Sequence, residues 1–255
     1  MMRKLTRVSE AEVVSEFLKS EFGYSEYDRD REQFHKLVFE PDLNNREHNH
    51  VRHVLLFRRR DTLWRELPRD MQWWEINLSR EDLRKIRIFP RAQWRTVACG
   101  DFSVDHVADA ISQQIARGDL SPLATKIQSI SKALRTGTPT QTVMMIAKDE
   151  SSRLTLIDGN HRFLAALLMG EAAPAPFRYI CGFSPNMESC CWYSTNVSSL
   201  SHYLKNRIQH LWWDRDAGVY RWYPVALRSR PAGIFKQDGL PPVDTLKGIE
   251  EHKIG

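Results

Sequence analysis

The 255-residue chain is 42% hydrophobic and 27% charged, a balance that suits a globular protein and excludes a disordered or collagen-like one. Its formal net charge of +5 favours acidic partners only mildly and does not by itself select nucleic acid. No apolar run has the length of a membrane span, and Met1-Met2-Arg3-Lys4-Leu5-Thr6 lacks the apolar core of a secretory signal, so a cytoplasmic protein without membrane contact is expected.

In chain order, Ser9 to Phe22 places Val13, Val14, Phe17, Leu18 and Phe22 at helical spacing, with Gly23 as a stop. Val51 to Phe57 reads as a strand between a polar turn and the run Arg58-Arg59-Arg60. Trp73 to Leu78 is a second strand, and Asp82 to Pro90 is ambiguous around Leu83, Ile86, Ile88 and Phe89. Ser103 then caps a helix with Val104, Val107, Ala108, Ile111 and Ile115 on one stripe, ended by Gly118. Ser121-Pro122 opens another, with Leu123, Ile127, Ile130 and Leu134 inward and Gly137 past its end.

Two short apolar runs follow, Val143 to Ile146 and Leu154 to Ile157, flanking the polar turn Lys148-Asp149-Glu150-Ser151-Ser152. Phe177 to Cys181 reads as a strand. Ser198 to Leu211 reads as a helix with Leu200, Tyr203, Leu204, Ile208 and Leu211 inward. Trp212-Trp213-Asp214 and Val219 to Tyr223 pair as an aromatic hairpin, and beyond Arg230 prolines and glycines punctuate a polar tail.

The most informative stretch runs from Leu154 to Leu168. A buried strand breaks at Asp158-Gly159, and an apolar helix starts within about two residues of His161. The first amides of a helix have no intrahelical partners and carry partial positive charge. Asn160, His161 and Arg162 add side-chain donors there, and Gly159 lets a ligand approach the backbone, so a phosphate is the natural guest. An ordinary strand-to-helix turn with one satisfied histidine is the plainer alternative.

Asp158-Gly159-Asn160-His161-Arg162, with Phe163 and Ala165-Ala166 behind it, resembles the signature of the ParB/sulfiredoxin superfamily, in which a Gly-x-x-Arg turn after a strand binds nucleotide phosphates. The Asp-Gly-x-His-Arg form is similar to that of the free serine kinase branch. The resemblance implies an α+β fold, a mixed sheet with packed helices over residues 73–182. An N-terminal helical and strand extension would occupy 1–72, and a C-terminal helix, aromatic hairpin and tail 183–255.

Three departures narrow it. Asn160 stands where sulfiredoxins place their catalytic cysteine, which argues against sulfinate reduction. Asn160-His161-Arg162 replaces the Glu-Arg-Arg usual in chromosome-partitioning ParB proteins, and the helix-turn-helix domain into which those proteins continue has no clear candidate in the sequence. The kinase branch's catalytic glutamate has no assigned counterpart.

The resulting expectation is a nucleotide-binding enzyme that transfers a phosphoryl group to a small hydroxyl-bearing acceptor, or hydrolyses the nucleotide. Gly159, Asn160, His161 and Arg162 would hold ATP or ADP, with Arg162 neutralising phosphate charge. His161 would donate a hydrogen bond or move a proton. Asp158 would position magnesium or orient the hydroxyl, or else bond its own turn. Magnesium follows from phosphate chemistry in general, since no ligand set is visible in the sequence.

The alternative is a nucleic-acid-binding or nucleotide-gated interaction protein of ParB-like type, touching its partner through Arg58-Arg59-Arg60 and the aromatic block. His48, His50 and His53 offer imidazoles to a metal but are explained more simply as a polar loop entering a strand. Cys99, Cys181, Cys190 and Cys191 lack metal or disulfide-framework spacing, and packing is the better reading of Cys190-Cys191.

Overall fold

The computed structural model describes residues 2–90, 92–119, 121–135, 141–169 and 177–212. Strands β1 (Arg3–Val8), β2 (Gln72–Asn77), β3 (Ile86–Ile88), β4 (Gln141–Ala147), β5 (Leu154–Asp158) and β6 (Phe177–Phe183) form one mixed sheet in the order β1-β2-β6-β4-β5-β3. The helices are α1 (Glu10–Glu21), α2 (Arg31–Phe39), α3 (Arg46–Glu66), α4 (Arg80–Leu83) and α5 (Ala92–Ala98). They continue with α6 (Val104–Ala116), α7 (Pro122–Arg135), α8 (Asn160–Leu167) and α9 (Val197–Trp212).

The chain divides into two compact units, Met1–Ser9 with Glu66–Leu204, and Glu10–Arg65 with Lys205–Gly255. The sheet lies in the first. It draws β1 from the segment that sequence alone assigns to an N-terminal extension, pairing it antiparallel with β2. β4 runs parallel to β6 and antiparallel to β5, and β5 runs parallel to β3. Every residue from Thr142 to Ala147 is buried, as a strand paired on both edges and covered on both faces requires.

Met145, Leu156, Ile88, Trp94, Val107, Ile111, Ile127, Phe163 and Leu164 belong to one core, which joins the sheet to α5, α6, α7 and α8. Each such large apolar side chain contributes about 1.5–3 kcal/mol on burial. The helical stripes read from sequence for α6 and α7 face this core through Val104, Val107, Ile111 and Ile127. Ser121 caps α7, its Oγ accepting the amide of Ala124 at 3.2 Å. Gly118 follows α6 with a φ of +74°. Gly137 lies outside the described residues.

The apolar run Val51 to Phe57 is helical, within α3, where the sequence suggested a strand. A short apolar run is ambiguous between the two states, and here the deciding signals lie outside it. Asn45 Oδ1 accepts the amides of both Glu47 and His48 at 3.1 Å, which starts a helix well before Val51. Downstream, the arginine run contains no breaker. Buried Arg52 reinforces the helix, donating to the carbonyls of Leu37 at 3.0 Å and Asp42 at 2.9 Å.

The inward stripe expected of α9 is also corrected. Leu200, Leu204 and Ile208 are 45%, 57% and 56% exposed, while Ser199 is buried and Tyr203 half-buried. Polar contacts fix the start of this helix: the Ser199 amide donates to Asn196 Oδ1 at 2.8 Å, and the Asn196 amide to Ser199 Oγ at 3.0 Å. The side chain of Leu211, and the expected hairpin and tail from Trp213 onward, lie outside the described residues. Among the described residues no helix is long and apolar enough to cross a membrane.

The α3 start yields a test. Asn45→Ala should cost about 1 kcal/mol, because two first-turn amides lose their acceptor. It should lower the urea midpoint and speed amide exchange at Glu47 and His48, whereas Asn44→Ala, which changes an exposed neighbour, should do neither.

Candidate functional site

The end of β5 becomes the start of α8 across a single residue. Gly159 has φ +82° and ψ 11°, and its carbonyl accepts the amide of Phe163 at 2.8 Å as α8 begins. A side chain at 159 would be disfavoured on two counts. The backbone is left-handed, and a Cβ would stand 3.0 Å from Val143 Cγ2 and 3.3 Å from Arg162 Nη2. The Asp-Gly break that marks this turn in the sequence therefore suits both the left-handed backbone and the close packing of β4.

Arg162 closes the turn. Its Nη2 donates to Asp158 Oδ2 at 2.8 Å and to the carbonyl of Thr142 at 3.0 Å, so one guanidinium nitrogen ties α8 to both β5 and β4. Of the two roles considered for Asp158, bonding its own turn is the one visible in the geometry. Nη2 of Arg162 is likewise a structural brace. Asp158 and Arg162 together sum to no net charge.

His161 is half-buried on the first turn of α8, its ring 5.0 Å from that of Trp94 and inclined at 42°. Burial, with the nearby positive charges of Lys126 and Arg162, pushes its pKa down to about 4. The imidazole is thus neutral near pH 7 and offers one donor and one acceptor. Two further polar atoms nearby are shielded from solvent without a hydrogen-bond partner: Oδ1 of Asn160 and Nε1 of the fully buried Trp94.

α7 packs alongside α8, where Ser131 Oγ donates to the carbonyl of Ala165 at 3.0 Å. Lys126 is an exposed residue of α7. Sequence reasoning singled out neither Trp94 nor Lys126, because only the packing of α5 and α7 around the core brings them to the motif.

The remaining sequence candidates lie elsewhere. His48, His50 and His53 sit on α3 rather than on a loop entering a strand. Burial lowers the pKa of both His50 and His53, assisted by Arg46 and by His50 and Arg52 respectively, while Glu10 opposes the shift at His53. Among the described residues no group of three or more His, Cys, Asp or Glu is placed to hold a metal ion. Burial raises the thiols of Cys190 and Cys191 to about 12, and Cys181 is also raised, which makes all three poor nucleophiles.

Within the arginine run, Arg59 Nε and Arg60 Nε each donate to buried Glu21 at 2.8 Å, and Arg59 also pairs with Glu26. The side chain of Arg58 lies outside the described residues.

No protein-family model matches the chain, and neither a curated protein nor a solved structure matches it.

The imidazole provides a direct check on this geometry. His161 should titrate with a midpoint near 4 in the folded protein, against 6.5 in the unfolded chain. The unfolded state then binds more protons between those values. The stability contribution is complete above pH 6.5 and is lost as pH falls toward about 4. His161→Gln should remove that part of the acid slope. An NMR midpoint at 6 or above, on the scale of an ordinary histidine, would contradict the buried neutral ring.

Proposed function

We propose that the chain is a ParB/sulfiredoxin-like nucleotide-binding enzyme whose Gly159 turn receives nucleotide phosphates, ATP or ADP, for phosphoryl transfer to a small hydroxyl-bearing acceptor or for hydrolysis. The observation that carries the reading is a neutral, half-buried imidazole on the first turn of a helix that starts directly after a left-handed glycine. The order of strand, helices, hairpin, motif and helix, β3-α5-α6-α7-β4-β5-α8, supports it as well.

Phosphate oxygens accept from the first amides of α8, which have no partners within the helix. Asn160 and His161 line the seat, and Arg162 holds the turn in shape through Asp158 and Thr142. Bound anion raises the proton affinity of His161. The imidazole then accepts the proton of the attacking hydroxyl or water as the new P–O bond forms, and returns it after the leaving oxygen departs.

Magnesium enters in this account with the nucleotide. The motif offers one carboxylate, Asp158, and its Oδ2 already accepts from Arg162, so no step is assigned to a resident ion. The nucleic-acid reading gains no support from Arg59 and Arg60, whose guanidinium groups face Glu21 and Glu26.

Binding of ATP, ADP, CTP and GTP, each with and without magnesium and each followed by a product assay, tests the proposal. A purine diphosphate or triphosphate should bind and turn over. His161→Gln should lower kcat by about 100-fold with a smaller change in KM, as loss of a proton-transfer group does. Absence of binding by all four nucleotides would defeat the reading.

A further inference from the structure

We propose that α9 is a membrane-surface helix, whose exposed apolar stripe and flanking cations seat the chain on an anionic lipid bilayer. This role is independent of the phosphate reading. It departs from the expectation of no membrane contact, because α9 lies along the surface; no described helix is long and apolar enough to cross a bilayer.

The stripe belongs to one helix. Val197, Leu200, Leu204 and Ile208 recur every three or four residues along α9, and at about 3.6 residues per turn they share one side. Val197 is 87% exposed, and the other three are about half exposed. Ser199, on the far side of the helix, is buried, and its hydroxyl donates to the carbonyl of Ser194 at 2.5 Å. The start of the helix is thus held by its back while the apolar row faces outward. Single exposed apolar residues are ordinary on a protein surface, whereas a contiguous row marks a contact surface.

The charges select what the row meets. α9 contains no Asp or Glu, and Lys205 and Arg207 occupy positions on either flank of the stripe. Packing against a second copy of α9 would bring these cations together with no carboxylate to pair them, whichever way the two helices ran. A bilayer with anionic headgroups suits both parts of the helix. The aliphatic side chains enter the boundary between headgroups and acyl chains, and the flanking cations stay at the level of the phosphates.

The test uses the full chain in sedimentation with vesicles of phosphatidylcholine, either alone or with about one-third phosphatidylserine. The parent should bind the anionic vesicles, bind the neutral ones about tenfold more weakly, and lose the difference as salt is raised. The double change Leu200→Ser and Leu204→Ser should weaken binding to anionic vesicles by about tenfold or more. Lys205→Gln should weaken it by about fivefold, the effect of one cation at such a surface. Leu5→Ser, which alters an exposed leucine on β1, should bind like the parent.

Because the altered side chains are exposed, the melting temperature should stay the same in all of these variants. Failure of the parent to bind anionic vesicles would overturn the proposal, as would parent-like binding by the Leu200→Ser and Leu204→Ser protein. Equal binding to the two kinds of vesicle would remove the role of charge and overturn it as well. A parent dimer that the same double change dissociates would show that a second copy covers the stripe, which also contradicts the proposal.

Discussion

A strand and a helix meet at Gly159 with no loop between them, and that residue takes a positive φ at which any side chain is strained. A Cβ there would stand 3.0 Å from Val143 Cγ2, so the central strand β4 adds to the preference for glycine. Arg162 then bolts the joint from the helix side by reaching back to Asp158 at the end of β5 and to Thr142 near the start of β4. The first turn of α8 and the placement of His161 follow from this joint.

The neutrality of His161 comes from the same construction. The helix start at the end of β5 brings its second residue against Trp94, and desolvation is the largest penalty on the imidazolium there. Lys126 and Arg162 push in the same direction. The ring therefore stays available as a donor and acceptor, and only an incoming anion makes its protonation favourable. In the proposed reaction, binding and proton transfer would be coupled through electrostatics.

Local signals read well from the sequence where they were dense. Asp158-Gly159 after the run Leu154 to Ile157 marked the turn, and Ser121-Pro122 the start of α7, because backbone sterics and capping act over a few residues. Val51 to Phe57 misled because seven apolar and basic residues fit either period, and the cap that decides the matter, Asn45, stands six positions upstream. In α9 the apolar spacing was correctly helical, yet Leu200 and Leu204 face outward: periodicity defines a stripe but not its neighbour. The site was half legible for the same reason. Its motif is contiguous, whereas Trp94 and Lys126 arrive by tertiary packing. The Arg162 brace depends on a carbonyl 20 positions away.

The most direct measurement of the central claim is an amide shift map of the protein titrated with inorganic phosphate. If the β5–α8 joint is an anion seat, the largest shifts should fall on the backbone amides of Asn160, His161 and Arg162, with a single saturating curve and a concurrent rise in the His161 midpoint. Shifts concentrated on Arg58, Arg59 and Arg60, or no saturable shift at the start of α8, would contradict it.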